Sequence, residues 1–190
     1  REVVTERDLM NCGGTFYEVP SRMAGGIARI RPVATHNLHI YDFASYRGLL
    51  VMSGVTSSED HSENTHIITS QDESFAVWAG TIDDLWKLGK PHGVGGPWNN
   101  TQVEAGEPSD PYLMTGYDKK EMELEHDAGE TVTFRVEVDI NGKGLWKTYD
   151  TFEAEPGESL EHTFPEGFSA YWVRLRASRD CGATARFTYK

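Results

Sequence analysis

The chain of 190 residues is long enough for one large β domain or two small ones, and 11% of its residues are aromatic, which favours a partly aromatic core. Thirty acidic and eighteen basic residues give a formal net charge of −12. This charge argues against nucleic acid or an anionic membrane as the partner, because both require a basic face. A neutral ligand, or a cation such as calcium, suits the charge better. No run of residues approaches the roughly 18 apolar positions of a membrane span.

Short apolar and aromatic runs predict a series of strands in the N-terminal part of the chain. These strands are predicted at Thr15–Val19, Ile27–Val33, Leu38–Phe43, Gly48–Val55, Thr65–Ser70 and Phe75–Ala79. The polar segment 56–64 predicts a loop. The segment Ile82–Leu88 predicts one helical turn, with Thr81 as its N-cap and with Asp83 and Asp84 in its first turn.

The segment from Trp78 to Tyr117 is rich in glycine and proline and holds three of the five tryptophans. Because strands are predicted on both sides of it, we interpret it as a long loop between two β blocks. Such a loop is where a β-protein commonly places a binding site, and it is also where a joint between two subdomains would fall.

The C-terminal part alternates apolar and polar residues with the period of two that is typical of half-buried strands. The predicted strands are Glu121–His126, Thr131–Asp139, Leu145–Ala154, Leu160–Phe164, Ala170–Ser178 and Ala183–Tyr189. The dipeptide Asn141-Gly142 predicts a tight hairpin. The regular spacing of these strands predicts an all-β fold of the β-sandwich or jelly-roll type.

The predicted elements divide the chain into three parts. Residues 1–98 form an N-terminal β block, either half of a larger sandwich or propeller-like blades. Residues 99–120 form a connecting loop, and residues 121–190 form a C-terminal antiparallel β-sandwich block. The sequence leaves open whether these parts make one fold or two β subdomains.

Four segments carry a resemblance to a known group of proteins. They are A-V-W-A-G-T-I-D-D-L-W-K-L-G-K-P (76–91), S-D-P-Y-L-M-T-G-Y (109–117), F-R-V-E-V-D-I-N-G-K-G-L-W-K-T-Y (134–149) and A-Y-W-V-R-L-R-A (170–177). Together they resemble the C-terminal β-sandwich region of secreted bacterial β-propeller proteins that process polysaccharides, a region similar to a carbohydrate-binding module. The resemblance implies a secreted or cell-surface location and a carbohydrate ligand, and it transfers no catalytic residue.

Three tryptophans are the candidate platforms for a sugar, because a flat indole stacks on the apolar C–H face of a sugar ring. Trp86 and Trp98 lie in or beside the glycine-rich segment, and Trp172 shares the outward face of its predicted strand with Arg174 and Arg176. Each tryptophan has an alternative role in core packing, and Trp172 has a second one in a cation–π stack that covers the sheet.

Polar side chains near these tryptophans are the candidates for hydrogen bonds to sugar hydroxyls. We predict this role for Asp83, Asp84, His92 and Arg174. For the two aspartates, capping of the predicted helical turn is the alternative role.

No metal ligand set is predicted, and calcium stays open as a ligand of this acidic β-protein. The closest histidine pairs are His36 with His39 and His61 with His66. On a strand, His36 and His39 point to opposite faces and do not share a metal easily. The segment Asp139–Gly144 is similar to a calcium loop, but Lys143 stands where an oxygen ligand is needed, so we predict a hairpin turn there. Whether Cys12 and Cys181 form a disulfide is also open.

The function predicted from these features is non-catalytic polysaccharide binding by a secreted β-sandwich through aromatic stacking. One alternative is the C-terminal fragment of a propeller-type glycoside hydrolase or polysaccharide lyase, with His36, His39 or Tyr41 near its chemistry. The other alternative is a structural or adhesion module whose tryptophans contact another protein.

Overall fold

The structure is a computed structural model that describes residues 2–4, 7–55 and 64–190. Most of the loop predicted at 56–64, including His61, lies outside the described residues. Strands make up nearly all of the regular secondary structure in the described part, which confirms the predicted all-β class. Its helices are the three short 3-10 helices Arg22–Ala24, Gly26–Arg29 and Ile82–Lys87. No helix in the described ranges is long and apolar enough to cross a membrane.

The chain forms two compact units, Arg1–Lys90 and Pro91–Lys190, called unit 1 and unit 2 below. The strands of unit 1 are β1 (Glu2–Val4), β2 (Arg7–Cys12), β3 (Thr15–Pro20), β4 (Arg31–Thr35), β5 (Asp42–Tyr46), β6 (Leu49–Val55), β7 (Ile67–Thr69) and β8 (Ala76–Thr81). The strands of unit 2 are β9 (Gly93–Val103), β10 (Tyr112–Leu113), β11 (Lys120–His126), β12 (Val132–Asp139), β13 (Trp146–Ala154), β14 (Leu160–Thr163), β15 (Trp172–Ala177) and β16 (Cys181–Tyr189).

Unit 1 contains two four-stranded antiparallel sheets, in the orders β1-β2-β3-β4 and β5-β6-β8-β7. Both sheets contribute to one core, which is formed by Leu9, Phe16, Val33, Ala34, Leu50, Met52, Val55, Ala76, Trp78 and Leu85. The core is aromatic at its centre, because Phe16 and Trp78 have no exposed surface.

Unit 2 is a sandwich of two four-stranded sheets. We call β10-β15-β12-β13 the front sheet and β14-β11-β16-β9 the back sheet. Successive strands pass from one sheet to the other at nearly every connection, as in a jelly roll. The inward residues of both sheets make a single core, in which the most deeply buried large side chains are Phe134, Phe187, Leu124 and Leu175.

Two strands predicted in unit 1 lie elsewhere in the structure. The sequence predicts a strand at Ile27–Val33, but a 3-10 helix occupies Gly26–Arg29 and β4 begins only at Arg31. The sequence also predicts a strand at Leu38–Phe43, whereas β5 begins at Asp42. Leu38 and Ile40 pack against the core of unit 1 without lying in a strand, so their alternation reflects burial rather than strand pairing.

The glycine-rich stretch after residue 90 is a strand of unit 2 rather than part of a long loop. This strand, β9, pairs with β16, so the boundary between the units falls earlier than the predicted boundary at residue 98. A Cβ atom at Gly96 would overlap the carbonyl oxygen of Ala185, so glycine is what allows this close approach. Pro97 is tolerated because β9 is an edge strand and its pairing with β16 is irregular here.

The predicted connecting loop 99–120 lies inside unit 2. It contains the second half of β9, all of β10 and the first residue of β11. The backbone of this segment is tied to the front sheet, because the N–H groups of Gly106 and Ser109 donate to the carbonyl oxygens of Ala177 and Leu175. Residues 99–120 are therefore part of the sandwich.

One side of the sandwich is closed by an aromatic cluster between the edge strands β13 and β14. The hydroxyl of Tyr149 lies 3.0 Å from Nε2 of His162, and the His162 ring lies 4.7 Å from that of Phe152 and 5.0 Å from that of Phe164. Burial lowers the pKa of His162 below its ordinary value of 6.5, and the nearby carboxylate of Asp150 opposes that shift. The folded state therefore favours the neutral imidazole.

This burial predicts a loss of stability of unit 2 in mild acid. Because the pKa of His162 is lower in the folded state, the unfolded state takes up a proton first as the pH falls below about 6.5. We expect His162→Gln, which does not titrate, to show a smaller drop in the urea midpoint between pH 7.5 and 5.5 than the unchanged protein. Equal drops in both proteins would contradict this assignment.

Candidate ligand-binding face

The outer face of the front sheet collects the polar and aromatic side chains that could contact a ligand. Along β15, Val173 and Leu175 are fully buried in the core, and the alternate residues Trp172, Arg174 and Arg176 are only partly buried. This is the arrangement that the alternation in the sequence predicts. Trp172 and Arg174 are thus two predicted site residues that the fold brings to one face.

Strand pairing adds a second tryptophan to this face. Asp139 on the central strand β12 pairs with Trp172 on one side and with Trp146 on the other. Cross-strand neighbours point to the same face, so the two indoles flank Asp139 in one row across the sheet. Trp146 was not among the predicted site residues, because a two-residue Asn141-Gly142 turn would pair Asp139 with Gly144, whereas the structure pairs Asp139 with Trp146 across a longer loop.

Arg174 lies over the Trp146 ring and is anchored by a carboxylate. Its guanidinium carbon is 4.3 Å from the ring centroid, within cation–π range. Its Nε donates to Oε2 of Glu137 at 2.6 Å. We call the surface formed by Trp146, Trp172, Arg135, Arg174, Arg176 and Glu137 the Trp–Arg face.

Glu137 is the centre of the charged part of this face. It is only 9% exposed and receives a second hydrogen bond from Nε of Arg176 at 3.2 Å. Nε of Arg135 lies 3.4 Å from its other oxygen. Burial alone would raise the pKa of Glu137, but the hydrogen bonds and charges of Arg174 and Arg176 lower it below its ordinary value. The carboxylate is therefore ionised at neutral pH.

Asp139 orders the hairpin beside the two tryptophans. Its side chain is 2% exposed, and it accepts the backbone N–H groups of Asn141 at 3.3 Å and Gly144 at 2.6 Å. The predicted hairpin is present, but its loop is longer than a two-residue Asn141-Gly142 turn, because β12 ends at Asp139 and β13 begins at Trp146. Because both carboxylate oxygens accept hydrogen bonds from this turn, Asp139 fixes the chain that leads into Trp146.

Trp98, predicted as a sugar platform, is a core residue. It lies on β9, is 6% exposed and packs at a ring distance of 6.3 Å from Phe134. Its strand partner Ala185 is small and fully buried, which leaves room for the indole. The strand character of β9 turns this side chain inward, so its indole is not available for stacking on a ligand.

Three predicted site residues lie on the 3-10 helix Ile82–Lys87 of unit 1. Asp84 caps this helix, because one of its oxygens accepts both the backbone N–H and the hydroxyl of Thr81 at 2.8 Å. Its other oxygen accepts Nζ of Lys87 at 2.7 Å. These contacts, that of Lys87 foremost, lower the pKa of Asp84. Asp84 therefore has the capping role that the sequence gave as the alternative.

Asp83 and Trp86 remain exposed on the same helix, Trp86 with 56% of its surface. Side chains three positions apart in a 3-10 helix lie above one another, so the two residues share a face. His92, the remaining predicted site residue, is exposed just before β9 in unit 2. The predicted residues are thus divided between the units, with Asp83, Asp84 and Trp86 in unit 1 and His92, Trp98, Trp172 and Arg174 in unit 2.

The residues considered for acid–base chemistry do not form a group in unit 1. His36 is partly buried, its ring lies 5.0 Å from that of Phe16, and its Nε2 is 3.1 Å from Oδ1 of Asn11. Burial lowers the pKa of His36. His39 and Tyr41 are exposed, with their rings 5.9 Å apart.

The described residues 2–4, 7–55 and 64–190 contain two free thiols and no cluster of metal-binding side chains. There, no group of three or more His, Cys, Asp or Glu side chains could hold a metal ion. Cys12 is an exposed free thiol, and Cys181 is a buried one. Burial, together with the nearby charges of Asp127 and Asp180, raises the pKa of the Cys181 thiol.

Comparisons with known proteins give little further information. No protein-family profile matches the sequence, and neither does any curated protein. A solved structure described as the crystal structure of PirA matches 52% of this chain and 84% of its own, with 14% identity and a TM-score of 0.28.

The burial of Trp98 predicts a large effect of truncation on stability. We expect Trp98→Ala to lower the free energy of unfolding of unit 2 by roughly 3–5 kcal/mol, because it leaves a cavity in the core. Trp172→Ala, on the outer face, should cost about 1 kcal/mol. Urea denaturation of both variants tests the contrast, and equal losses would place Trp98 and Trp172 in similar environments.

The capping role of Asp84 predicts a difference between two adjacent aspartates. Asp84→Ala removes the acceptor of Thr81 and Lys87, so we expect a fall of a few degrees in the melting temperature of unit 1. Asp83→Ala is the matched control and should change it much less, because Asp83 is exposed. Thermal unfolding followed by circular dichroism makes the comparison. A larger fall for Asp83→Ala would contradict the assignment.

Proposed function

We propose that unit 2 binds polysaccharide without cleaving it, and that the ligand lies on the Trp–Arg face. The observation that carries this proposal is the pair of partly exposed indoles, Trp146 and Trp172, in one row across the front sheet. Glu137, on the strand between them, holds the side chain of Arg174 in place. An aromatic surface beside ordered hydrogen-bonding groups has the composition that sugar recognition requires.

Trp172 is the first platform in this proposal. A sugar ring presents axial C–H groups on one side, and an indole that shields this side from water gains both apolar burial and a favourable contact with the C–H dipoles. Trp146 has one ring face covered by Arg174, so the opposite face is the one that it offers to a sugar.

Arg174 supplies hydrogen bonds in this proposal. Its Nε is used by Glu137, and the terminal nitrogens of its guanidinium find no acceptor among the described residues. These N–H groups can therefore donate hydrogen bonds to sugar oxygens. Because the side chain is already ordered, little conformational entropy is lost when a ligand binds.

The spacing of the two indoles suits a polymer. Trp146 and Trp172 lie on strands separated by β12, which corresponds to about 10 Å across the sheet. In an extended polysaccharide, rings two positions apart are separated by a distance of this order. The proposed location, secreted or at the cell surface of a bacterium, rests on the resemblance described above.

Alanine substitutions test this function. We expect Trp172→Ala and Trp146→Ala each to weaken polysaccharide binding roughly 10- to 30-fold, because a central aromatic contact commonly contributes about 2 kcal/mol. Affinity gels over a panel of neutral and acidic polysaccharides, followed by titration of tryptophan fluorescence with and without calcium, provide the measurement. Trp98→Phe, which keeps an aromatic ring in the core, is the control and should bind as the unchanged protein does.

Several outcomes would redirect the assignment. Unchanged affinity in both the Trp146 and Trp172 variants would rule out the Trp–Arg face as the site. A loss of affinity in Trp86→Ala instead would move the site to the exposed Asp83–Trp86 pair of unit 1. Turnover of a polysaccharide would favour the enzyme alternative. Self-association at rising concentration, without glycan binding, would favour the structural or adhesion alternative.

A further inference from the structure

The Trp–Arg face has an excess of positive charge. Two adjoining rows of the front sheet contain Arg135, Arg174 and Arg176, and the one carboxylate that these guanidiniums share is Glu137. The rows are completed on β13 by the neutral residues Thr148 and Thr151. Within these two rows one carboxylate compensates one of the three positive charges, although the whole chain carries −12.

Carboxylates lie around these two rows, and Glu107 and Asp110 flank the Pro108–Ser109 segment that pairs with Arg176 and Leu175. Asp139 lies in the next row, and its oxygens accept the backbone N–H groups of its own hairpin. Glu153 lies opposite Thr133, in the row beyond Arg135. The guanidiniums are therefore bordered by acidic residues at both ends, which defines a basic band across the middle of the face.

The same arginines also have more donors than the protein uses. A guanidinium has five N–H groups, and a carboxylate accepts them in pairs. Within the described residues, Arg135 contacts Glu137 through Nε, and Arg174 hydrogen-bonds Glu137 through Nε alone. Arg176 hydrogen-bonds Glu137 and the carbonyl oxygen of Gly106. Terminal nitrogens of Arg135 and Arg174 thus remain for an external acceptor.

The opposite side of the sandwich has the reverse charge. Glu121 and Glu123 point outward from β11 and, with Glu161 of β14, line a groove on the back sheet. Arg186 is the guanidinium of this groove, 3.7 Å from Glu123. Nζ of Lys190 lies 3.6 Å from Glu121, so the groove keeps one uncompensated carboxylate, and an anionic polymer is attracted more strongly by the basic band of the front sheet.

Resting on the polysaccharide-binding function proposed above, we infer that the ligand is an anionic polysaccharide, whose carboxylate or sulfate groups bind the guanidiniums of Arg135, Arg174 and Arg176. The sugar rings stack on Trp172 and Trp146 in the adjoining row, and the acidic groups lie over the basic band. Arginine suits both kinds of anion, because its planar fork donates two parallel hydrogen bonds to a pair of oxygens. Carboxylate and sulfate groups both accept this pair of hydrogen bonds, and the matched polymers below distinguish between them.

Matched polymers test the charge of the ligand. Polygalacturonate and its highly methyl-esterified form share a backbone and differ in the carboxylate, and dextran sulfate and dextran differ in the sulfate ester. We expect binding to at least one charged polymer to be tenfold or more tighter than to its neutral partner, and to weaken as salt rises from about 50 to 300 mM because the contacts are charge-assisted. Preference for polygalacturonate would identify the carboxylate source, and preference for dextran sulfate the sulfate source.

Variants then locate the contact. Arg135→Gln should weaken binding to the charged polymer by roughly tenfold and weaken binding to its neutral partner much less. Its side chain is 49% exposed and contacts only Glu137 among the described residues, so this variant should fold. Arg135→Lys keeps the charge but loses the fork, and should recover part of the affinity. Arg186→Gln, on the back sheet, is the matched control and should have no effect.

The outcomes separate this inference from the function on which it rests. Equal binding of charged and neutral polymers, with loss in Trp172→Ala, would overturn the inference and keep the proposed function. No binding of any polysaccharide would overturn both. Binding of a single-stranded oligonucleotide as tightly as the acidic polysaccharides would overturn the inference in favour of a nucleic acid. An unchanged affinity in Arg135→Gln and Arg176→Gln, with urea midpoints preserved, would also overturn it.

Discussion

The buried carboxylate of Glu137 organises the outer face of unit 2. A carboxylate with so little exposure is stable in the folded state only when strong donors surround it, and Arg174 and Arg176 provide them. The constraint also acts in the other direction, since the carboxylate fixes the guanidinium of Arg174 over Trp146. Long side chains that would otherwise sample many rotamers are thereby ordered during folding, before any ligand arrives.

The distribution of charge matters more for this protein than its sum. The net charge of −12 favours neutral or cationic ligands when the chain is treated as a whole. The strand register separates the charges, because Glu121, Glu123 and Glu161 gather on the back sheet whereas three arginines gather on the front sheet. Electrostatic recognition acts over about 10 Å at moderate salt, so the local face decides which ions approach it.

Local patterns in the sequence predict a large part of this fold. The alternation in Thr131–Asp139 and the Asn141-Gly142 dipeptide are properties of neighbouring residues, and they predict β12 and the hairpin that joins it to β13, although the loop is longer than the dipeptide indicates. The capped helical turn at Ile82–Lys87 is predicted for the same reason, since Thr81 and Asp84 are three positions apart. The outward direction of Trp172 follows from its alternation with buried neighbours.

Features that depend on distant residues were not predictable in this way. Glycine and proline at 95–97 indicate a loop by their local preferences, and only the contact of Gly96 with Ala185 explains why a strand lies there. The inward direction of Trp98 has the same origin. The meeting of Trp146 and Trp172 also requires strand pairing across β12, which a single sequence does not specify.

The pairing of β9 with β16 has a consequence for the biogenesis of unit 2. The first strand of this unit is completed by its last, so the back sheet has a gap until Cys181–Tyr189 has left the ribosome. Until then β11 also lacks one neighbour, and the apolar sides of both strands face water. The long separation in sequence between these paired strands slows folding and places it after synthesis of the unit rather than during it. A chaperone that shields β9 and β11 in this interval would protect strands that cannot pair until β16 has been synthesised.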